Sequence, residues 1–454
     1  MEKRDEKLGT APLGKLMVSM ALPAIAAQII NVLYNIVDRI YIGHIEGYGE
    51  LALTGVGVTM PILMLISAFS AFAGMGGAPL ASIQLGKQNR EGAEKILGRS
   101  VAMLLSFSII LTVLFYCIKT PVLYAFGASD QTILYANQYL SIYLIGTIFV
   151  QLALGLNTYI SGQGNPKIAM CSVLIGAILN IILDPIFIFV LNLGVRGAAL
   201  ATILSQAVSA VWVVRFLLSK KSVIRIRKEN VKFDKEIIGK ISALGISPFI
   251  MQSTESLVMI TLNTGLQRYG GDLYVGTMSI MTSIMQLIIV PVQGVTQGVQ
   301  PIMSYNYGAG NYARVKAVFT RMIVVCLSST LILGGIAVLK PEIYATMFSN
   351  NQELVTLTCK AMPIYFLGMT IFGIQMGCQT TFMALGQAKV SLFIALLRKV
   401  ILLIPLALIL PEFMGVKGVY VAEPVADILS VTATSILFVI TVRKVLKKPE
   451  EQVS

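Results

Sequence analysis

The chain has 454 residues, of which 56% are hydrophobic and only 13% are charged. Soluble domains carry about 25% charged residues, so this composition excludes an ordinary soluble protein and indicates a membrane protein. The net charge of +13 would suit a nucleic-acid-binding protein. However, the positive residues concentrate in alternate loops, a distribution typical of membrane topology, and no nucleic-acid partner is expected.

Apolar stretches of about 20 residues, long enough to cross a bilayer, recur along the whole chain. Twelve spans are predicted, near residues 16–41, 52–80, 97–118, 136–160, 168–190, 198–218, 241–265, 274–303, 318–338, 357–384, 390–410 and 417–441. The charged arm 1–15 that precedes them lacks the cleavage site of a signal peptide, so we interpret it as a retained cytoplasmic segment. The sequence therefore predicts an all-α polytopic membrane protein.

Lysine and arginine are unequally divided between the two sides of the predicted bundle. The side that carries the chain termini holds most of them, with the largest cluster in KKSVIRIRKENVKFDK at 220–235. The loops of the opposite side hold only Lys119, Arg196, Arg268, Lys340, Lys360 and Lys417. The positive-inside rule then predicts a cell-membrane protein with cytoplasmic N and C termini. The basic cluster is expected to lie against the anionic lipid surface.

The sequence contains an internal repeat. GGAPLASIQLGKQN at 76–89 and GVQPIMSYNYGAGN at 298–311 share a proline, a glycine seven residues later and an asparagine three further on. With this pair, four different segments of the first half match segments of the second half in the same order, at separations of 221 to 225 residues. We infer a six-helix bundle at 16–218, a basic linker at 219–240, a second six-helix bundle at 241–441 and a cytoplasmic tail at 442–454. An even number of spans in each half predicts a pseudo-two-fold axis along the membrane normal, as in many transporters.

The sequence lacks the residues that several classes of protein function require. The only histidine, His44, follows the first span, and the cysteines are odd in number and scattered singly. This argues against an enzyme, a thiolate or histidine metal site and a disulfide framework. No G-x-x-x-x-G-K-[ST] phosphate-binding loop occurs, so the expected energy source is an ion gradient and no cofactor is expected.

Ionisable residues inside membrane spans are rare and suggest functional sites. Asp38 near the outer end of the first span and Asp184 in the outer third of the fifth lie at similar predicted depth. Asn180 precedes Asp184 by one helical turn, and Pro185 removes a backbone donor and kinks the helix. Two carboxylates beside amide groups suit a proton or sodium ion. Alternatively, Asp38 reaches the outer water beside Arg39, and Asp184 only fixes the kink.

Three motifs resemble the multidrug and toxic compound extrusion (MATE) family. They are LPAIAAQIINVLYNIVDRIYIG at 22–43, LNIILDPIFIF at 179–189 and QPIMSYNYGAGNYARVK at 300–316. The fifth-span motif is most similar to the DinF-like bacterial branch. The resemblance implies a secondary antiporter that exports small organic cations in exchange for inward H⁺ or Na⁺, and we expect a monomer in the bilayer. It further implies a cation site at Asp38, Asn180, Asp184 and Thr202, with Tyr139 and Asn157 as further members.

Polar residues of the spans are the candidates for a substrate cavity. These are Gln28, Tyr34, Asn35, Gln252 and Glu255. Glu255 is expected either to contact a cationic substrate or to pair with Arg398. Glu423 and Asp427, one turn apart on the last span, are expected to pair with the same arginine. A lipid-linked oligosaccharide flippase is the alternative function, and it would favour a cavity rich in arginine.

Overall fold

The computed structural model describes residues 7–348 and 351–446, and within these ranges the chain is helical with no strand. Six spans form the first half. Span 1 is Leu13–Gly43, span 2 Gly49–Gly86, span 3 Arg90–Ala125, span 4 the bent pair Ile133–Ile145 and Thr147–Gly162, span 5 Pro166–Pro185 continued as Ile186–Val190, and span 6 Val195–Leu218.

The second half repeats this plan. Span 7 is Lys235–Gly270, span 8 Asp272–Gly308, span 9 Tyr312–Leu339, span 10 the bent pair Gln352–Tyr365 and Gly368–Ala384, span 11 Ala388–Met414, and span 12 Val416–Val445. A short helix, Pro341–Phe348, precedes span 10. Ten helices of the described chain are continuous and two are bent, by 60° and 48°, so twelve spans result when each bent pair counts once. The predicted all-α fold with twelve spans is confirmed.

The bends occur in the fourth span of each half. In span 4 the break falls at Gly146, where an added Cβ would lie 2.3 Å from a side-chain carbon of Ile203 on span 6. Only glycine therefore allows the two helices to approach so closely at this point. Spans 6 and 12 also begin alike, because Gly194 and Gly415 both precede them with positive φ angles of 53° and 59°.

The two halves meet at one end of the bundle, which we call the linker end because span 6 ends and span 7 begins there. An added Cβ on Gly86 would lie 2.0 Å from the carbonyl oxygen of Tyr305, and one on Gly298 would lie 2.6 Å from that of Met20. One apolar core at this end combines residues of both halves, including Met20, Ile241 and Val299. Four further cores each belong to a single half. The closest packing between the halves is therefore at the linker end.

The linker is docked on the first half by buried polar groups. Glu94, which is 3% exposed, forms an ion pair with Arg227. Arg99 Nη1 donates to the Asn230 carbonyl oxygen at 2.7 Å, and Arg99 Nη2 lies 3.5 Å from an Asp234 carboxylate oxygen. Asp234 caps span 7, and the backbone N–H of Ile237 holds the pKa of this carboxyl below its ordinary value. The division of the chain into arm, two halves, linker and tail remains a prediction. Residues 1–6 of the arm and residues 447–454 of the tail lie outside the described residues.

Candidate functional site

Asp184 lies at the end of the regular α-helical part of span 5 and is fully buried. Asn180 Nδ2 donates to its Oδ1 at 3.3 Å and lies 3.5 Å from the Thr202 hydroxyl of span 6. Pro185 has no N–H, and the helix continues as a wider π-helical turn over Ile186–Val190. Such turns are rare and frequently occur at functional sites. The predicted neighbours Asn180, Asp184 and Thr202 are thus brought together.

Asp38 of span 1 lies beside Asp184. It is 7% exposed, and the two carboxyl groups are within hydrogen-bonding range of each other. Asp38 Oδ1 and Asp184 Oδ2 have no hydrogen-bond partner among the residues that the structure describes. Two carboxylates at this separation repel each other unless a proton or another cation lies between them. The alternative in which Asp38 reaches outer water does not fit its burial.

Two tyrosines extend this cluster. Tyr139 of span 4 is 3% exposed and lies within interaction range of Thr202 and Asp38. Tyr34, one turn before Asp38 on span 1, is also within electrostatic range of it. Asn35, by contrast, is exposed and donates to the carbonyl oxygen of Asn31 at 2.7 Å. The side chain of Asn35 therefore takes no part in the contacts between the two carboxyl groups.

A small cavity of about 40 Å³ lies beside Asn180 and Thr202 of this cluster. Its walls include Asn180 and Thr202 together with Asn31, Tyr34 and Asn157. Asn157, predicted as a cation ligand, donates to the Ala169 carbonyl oxygen at 3.2 Å and accepts from the Ser172 hydroxyl at 3.1 Å. Its place is thus in the cavity wall, and no contact with either carboxylate is present.

A larger cavity of about 230 Å³ lies between the two halves. The first half contributes Gln28, Asn31 and Asn157, and the second half Gln252, Gln297 and Gln300. Gln28 Nε2 donates to Gln297 Oε1 across the interface at 2.9 Å. Among the described residues that line this cavity, none is charged. Asn31 and Asn157 line both cavities, so the small cavity beside Asn180 and Thr202 shares a polar wall with the central cavity.

A family model, MatE, matches this sequence twice, over residues 23–186 and 248–409. The chain belongs to the MATE family. The two matched segments fall one in each half, which agrees with the internal repeat.

Curated relatives of this MATE protein are named multidrug export proteins. Multidrug export protein MepA of Staphylococcus aureus (strain NCTC 8325 / PS 47) is 24% identical over 444 residues, which cover 96% of both chains. The protein of the same name from Staphylococcus haemolyticus (strain JCSC1435) is 26% identical over 426 residues, or 92% of both chains. Together with the apolar spans, these similarities support a multi-pass membrane transporter and not an enzyme.

Solved structures share the MATE fold. One described as MATE in the bent conformation superposes with a TM-score of 0.90 at 23% identity, and covers 98% of each chain. An outward-facing multidrug resistance MATE family transporter of the MOP superfamily superposes with the same TM-score and identity, over 98% of this chain and 99% of that one. The arrangement of two six-helix bundles is thus that of known MATE transporters.

The second half of this MATE transporter contains a different cluster. Arg398 of span 11 pairs with Glu423 at 2.8 Å and with Asp427 at 2.7 Å, as the sequence predicts. Glu255, for which a substrate contact or a pair with Arg398 was expected, forms its ion pair with Lys399 instead. Glu255 is not among the residues that line either cavity, whereas Gln28 and Gln252 line the central one as predicted.

Lys399 is a further ionisable residue of span 11, for which the sequence indicated no role. Its Nζ also donates to the Met251 carbonyl oxygen of span 7 at 2.7 Å. Successive residues of an α-helix point about 100° apart, so a single span would not be expected to direct both Arg398 and Lys399 inward. Both lie in a π-helical segment, Leu397–Leu403. The only sequence feature that could have indicated a role for Lys399 is that it directly follows Arg398 in the otherwise apolar segment LLRKV.

Proposed function

We propose that this MATE transporter is a secondary antiporter that exports organic, mainly cationic and amphipathic compounds in exchange for inward H⁺ or Na⁺. The observation that carries the proposal is the buried pair formed by Asp38 and Asp184, which come from two different spans. Carboxylates placed inside the membrane are costly and commonly serve ion pathways. The names of the relatives, multidrug export proteins, support export of drug-like compounds.

The carboxylate pair is suited to bind one cation at a time. With no cation present, two negative charges would face each other in a site that excludes water. A proton bridging Asp38 and Asp184 removes this repulsion. A sodium ion would do the same with the Asn180 and Thr202 oxygens as further ligands, because hard cations prefer oxygen. The site therefore accepts a cation from one side and must release it for the pair to become available again.

The central cavity is suited to organic compounds. Its walls combine apolar groups with amides, including Gln28, Gln252 and Gln300. Amide oxygens accept hydrogen bonds from ammonium groups, and the lack of lysine and arginine among the described lining residues leaves no positive charge that would repel a cation. Asn31 and Asn157 also line the small cavity beside Asn180 and Thr202, and through this shared wall we expect the occupancy of the cation site to affect the central cavity.

The orientation follows from the positive-inside rule, which places the linker end in the cytoplasm. Because the halves pack most closely at that end, we assign the structure to an outward-facing state. Rocking of the halves would open the linker end, close the outer end and move the cavity to the cytoplasmic side. Binding of H⁺ or Na⁺ and binding of substrate then favour different facing states, which is how exchange becomes coupled.

The ion gradient supplies sufficient energy. Each monovalent cation that moves inward gains about 2.3 kcal/mol per 100 mV. For a neutral solute this supports roughly a fifty-fold outward gradient, because 1.4 kcal/mol corresponds to a factor of ten. When a monovalent cationic drug is exchanged, the electrical contribution cancels and the chemical gradient of the ion remains the driving force.

The test is ethidium efflux from proteoliposomes that contain the purified protein. We expect efflux when an inward proton or sodium gradient is imposed, with the two ions applied in separate experiments, and none after an ionophore collapses it. Efflux that persists without ion gradients, or that requires ATP, would refute the proposal. A lipid-linked oligosaccharide flippase is less well supported, since no arginine occurs among the described residues of the central cavity wall.

A further inference from the structure

A network of charges in the second half takes no part in the carboxylate pair of the first. Arg398 bridges Glu423 and Asp427, and Lys399 pairs with Glu255. When all five groups are ionised, two positive charges face three negative ones. Lys399 compensates Glu255, whose side chain is 40% exposed, so the uncompensated negative charge belongs to the buried group of Arg398, Glu423 and Asp427. Such a charge is costly inside a membrane, and this suggests that the group binds a further positive charge.

Two carboxylate oxygens without hydrogen-bond partners indicate where a further positive charge would bind. Glu423 and Asp427 are 4% and 0% exposed, and each gives one carboxylate oxygen to Arg398. The other oxygens, Glu423 Oε2 and Asp427 Oδ2, are buried and accept no hydrogen bond from the residues of 7–348 and 351–446. Buried polar atoms are normally hydrogen-bonded, so an unpaired oxygen on each of two neighbouring carboxylates requires an explanation.

The surroundings do not supply the missing partner. The titratable and charged groups that face the acid pair are Glu255 of span 7, Tyr365 of span 10, and Arg398 and Lys399 of span 11. Arg398 is already committed to both acids and also lies over the Phe372 ring, 4.4 Å from its centroid. Lys399 donates to Glu255 and to a backbone carbonyl oxygen. Neither cation is therefore directed at the two unpaired oxygens.

The internal repeat relates this pair to the first-half site. Spans 6 and 12 begin after Gly194 and Gly415, 221 residues apart, with nearly the same backbone angles. Three residues further on, Gly197 and Gly418 each pack against the backbone of the preceding span. The same offset places Glu423 at the position of Thr202, which contacts Asn180 in the first-half cation site. Glu423 thus occupies the place in the second half that a cation-site residue occupies in the first, and Asp427 lies one turn further along the same helix.

We propose that Glu423 and Asp427 form a second proton-binding site, which takes up one proton on one of the two unpaired oxygens. The proton forms an O–H bond with that oxygen and cancels the negative charge of the network. A metal ion would need several more oxygen ligands, and Arg398 already takes one oxygen of each acid, whereas a proton needs only one free oxygen. Proton binding stands independently of antiport, whereas its use in coupling rests on the proposed function.

Infrared spectroscopy of the full-length protein in lipid tests the binding step directly, without transport. The carbonyl stretch of a protonated, buried carboxyl group is separate from that of a carboxylate and shifts in D₂O. We expect such a band to titrate with pH in a background that carries Asp38→Asn and Asp184→Asn, in which the first-half carboxyl groups are absent. Adding Glu423→Gln and Asp427→Asn should abolish the band, because neither amide can be protonated as a carboxyl group can. Both amides keep an oxygen that accepts a hydrogen bond from Arg398, so the contact between the spans is retained.

The outcomes are distinct from those of the transport assay. Absence of a titrating band in the Asp38→Asn/Asp184→Asn background, or its persistence after Glu423→Gln/Asp427→Asn, overturns the second site. Should the double background fail to fold, the Glu423→Gln/Asp427→Asn variant is compared with the wild type, and an unchanged band area overturns it equally. A band that behaves as expected supports the second site even if no ion-coupled efflux is found, in which case only the antiport proposal fails.

Discussion

Gly86→Ala perturbs the contact that holds the two halves together at the linker end. Gly86 ends span 2, and a Cβ at this position would lie 2.0 Å from the Tyr305 carbonyl oxygen and 2.9 Å from the Ala309 nitrogen of the other half. Both obstacles are backbone atoms, so a rotamer change cannot relieve them. The substitution is therefore expected to push span 2 away from span 8 at the end of the bundle that we assign to the cytoplasm.

The magnitude follows from the packing. Overpacking of a tight contact costs about 1–3 kcal/mol. Since 1.4 kcal/mol corresponds to a factor of ten, the equilibrium should shift roughly 5- to 150-fold away from the state closed at the linker end. Gly57→Ala in the same span is the matched control, because an added Cβ there meets nothing within 4 Å. Both variants replace a glycine of span 2 by alanine, so a change in the distance between the halves that occurs only in Gly86→Ala is attributed to the steric contact.

The assay is a distance measurement between spin labels on the two halves. Glu91 and Ala313 are exposed at the linker end and suit labelled cysteines in a protein from which the five native cysteines have been removed. Gly86→Ala should add a population at longer distance, whereas Gly57→Ala should match the parent protein. An identical distance distribution for Gly86→Ala, in protein that folds normally, would show that this contact does not control the closure of the linker end.

Arg398→Met should lower the free energy of unfolding by about 3–5 kcal/mol, because it leaves Glu423 and Asp427 as buried, unpaired charges. Glu423→Gln and Asp427→Asn added to it should recover much of the loss, as measured by thermal unfolding, and an unchanged melting temperature of the single variant would contradict this. Asn306→Ala should release the N-terminal arm, since Asn306 Nδ2 donates to the Leu8 carbonyl oxygen at 2.8 Å. Faster hydrogen exchange around Leu8 is expected, and unchanged exchange would show that other contacts hold the arm.

The spans were predictable because a bilayer leaves the backbone few choices. Hydrocarbon cannot hydrogen-bond to peptide groups, so an apolar stretch of sufficient length becomes a helix whatever its neighbours are. The bend of span 4 was not predictable, and 136–160 appeared as a single stretch. The bend depends on how Gly146 packs against Ile203, a contact between two spans that hydrophobicity does not encode.

The candidate sites were predictable to different extents. The topology implied similar depth for Asp38 and Asp184, but their contact depends on how spans 1 and 5 pack, which only the structure shows. The spacing of Glu423 and Asp427 indicated a shared partner, and Arg398 was the nearest available cation. The ion pair of Lys399 with Glu255 was not predicted, because a regular helix would direct the Lys399 side chain away from the other ionisable residues. The π-helical turn that directs it to Glu255 has no clear sequence signal.

Asp184→Asn tests the central claim, that a buried carboxylate pair couples ion entry to export. The variant keeps the size of the side chain and an oxygen that can accept from Asn180, but it removes the charge. Asp130→Asn, an exposed acid in the loop before span 4, is the matched control. The measurement is simultaneous recording of ion flux and ethidium efflux in proteoliposomes. We expect Asp184→Asn to lose both fluxes while Asp130→Asn retains them, and wild-type coupled efflux by folded Asp184→Asn protein would contradict the account.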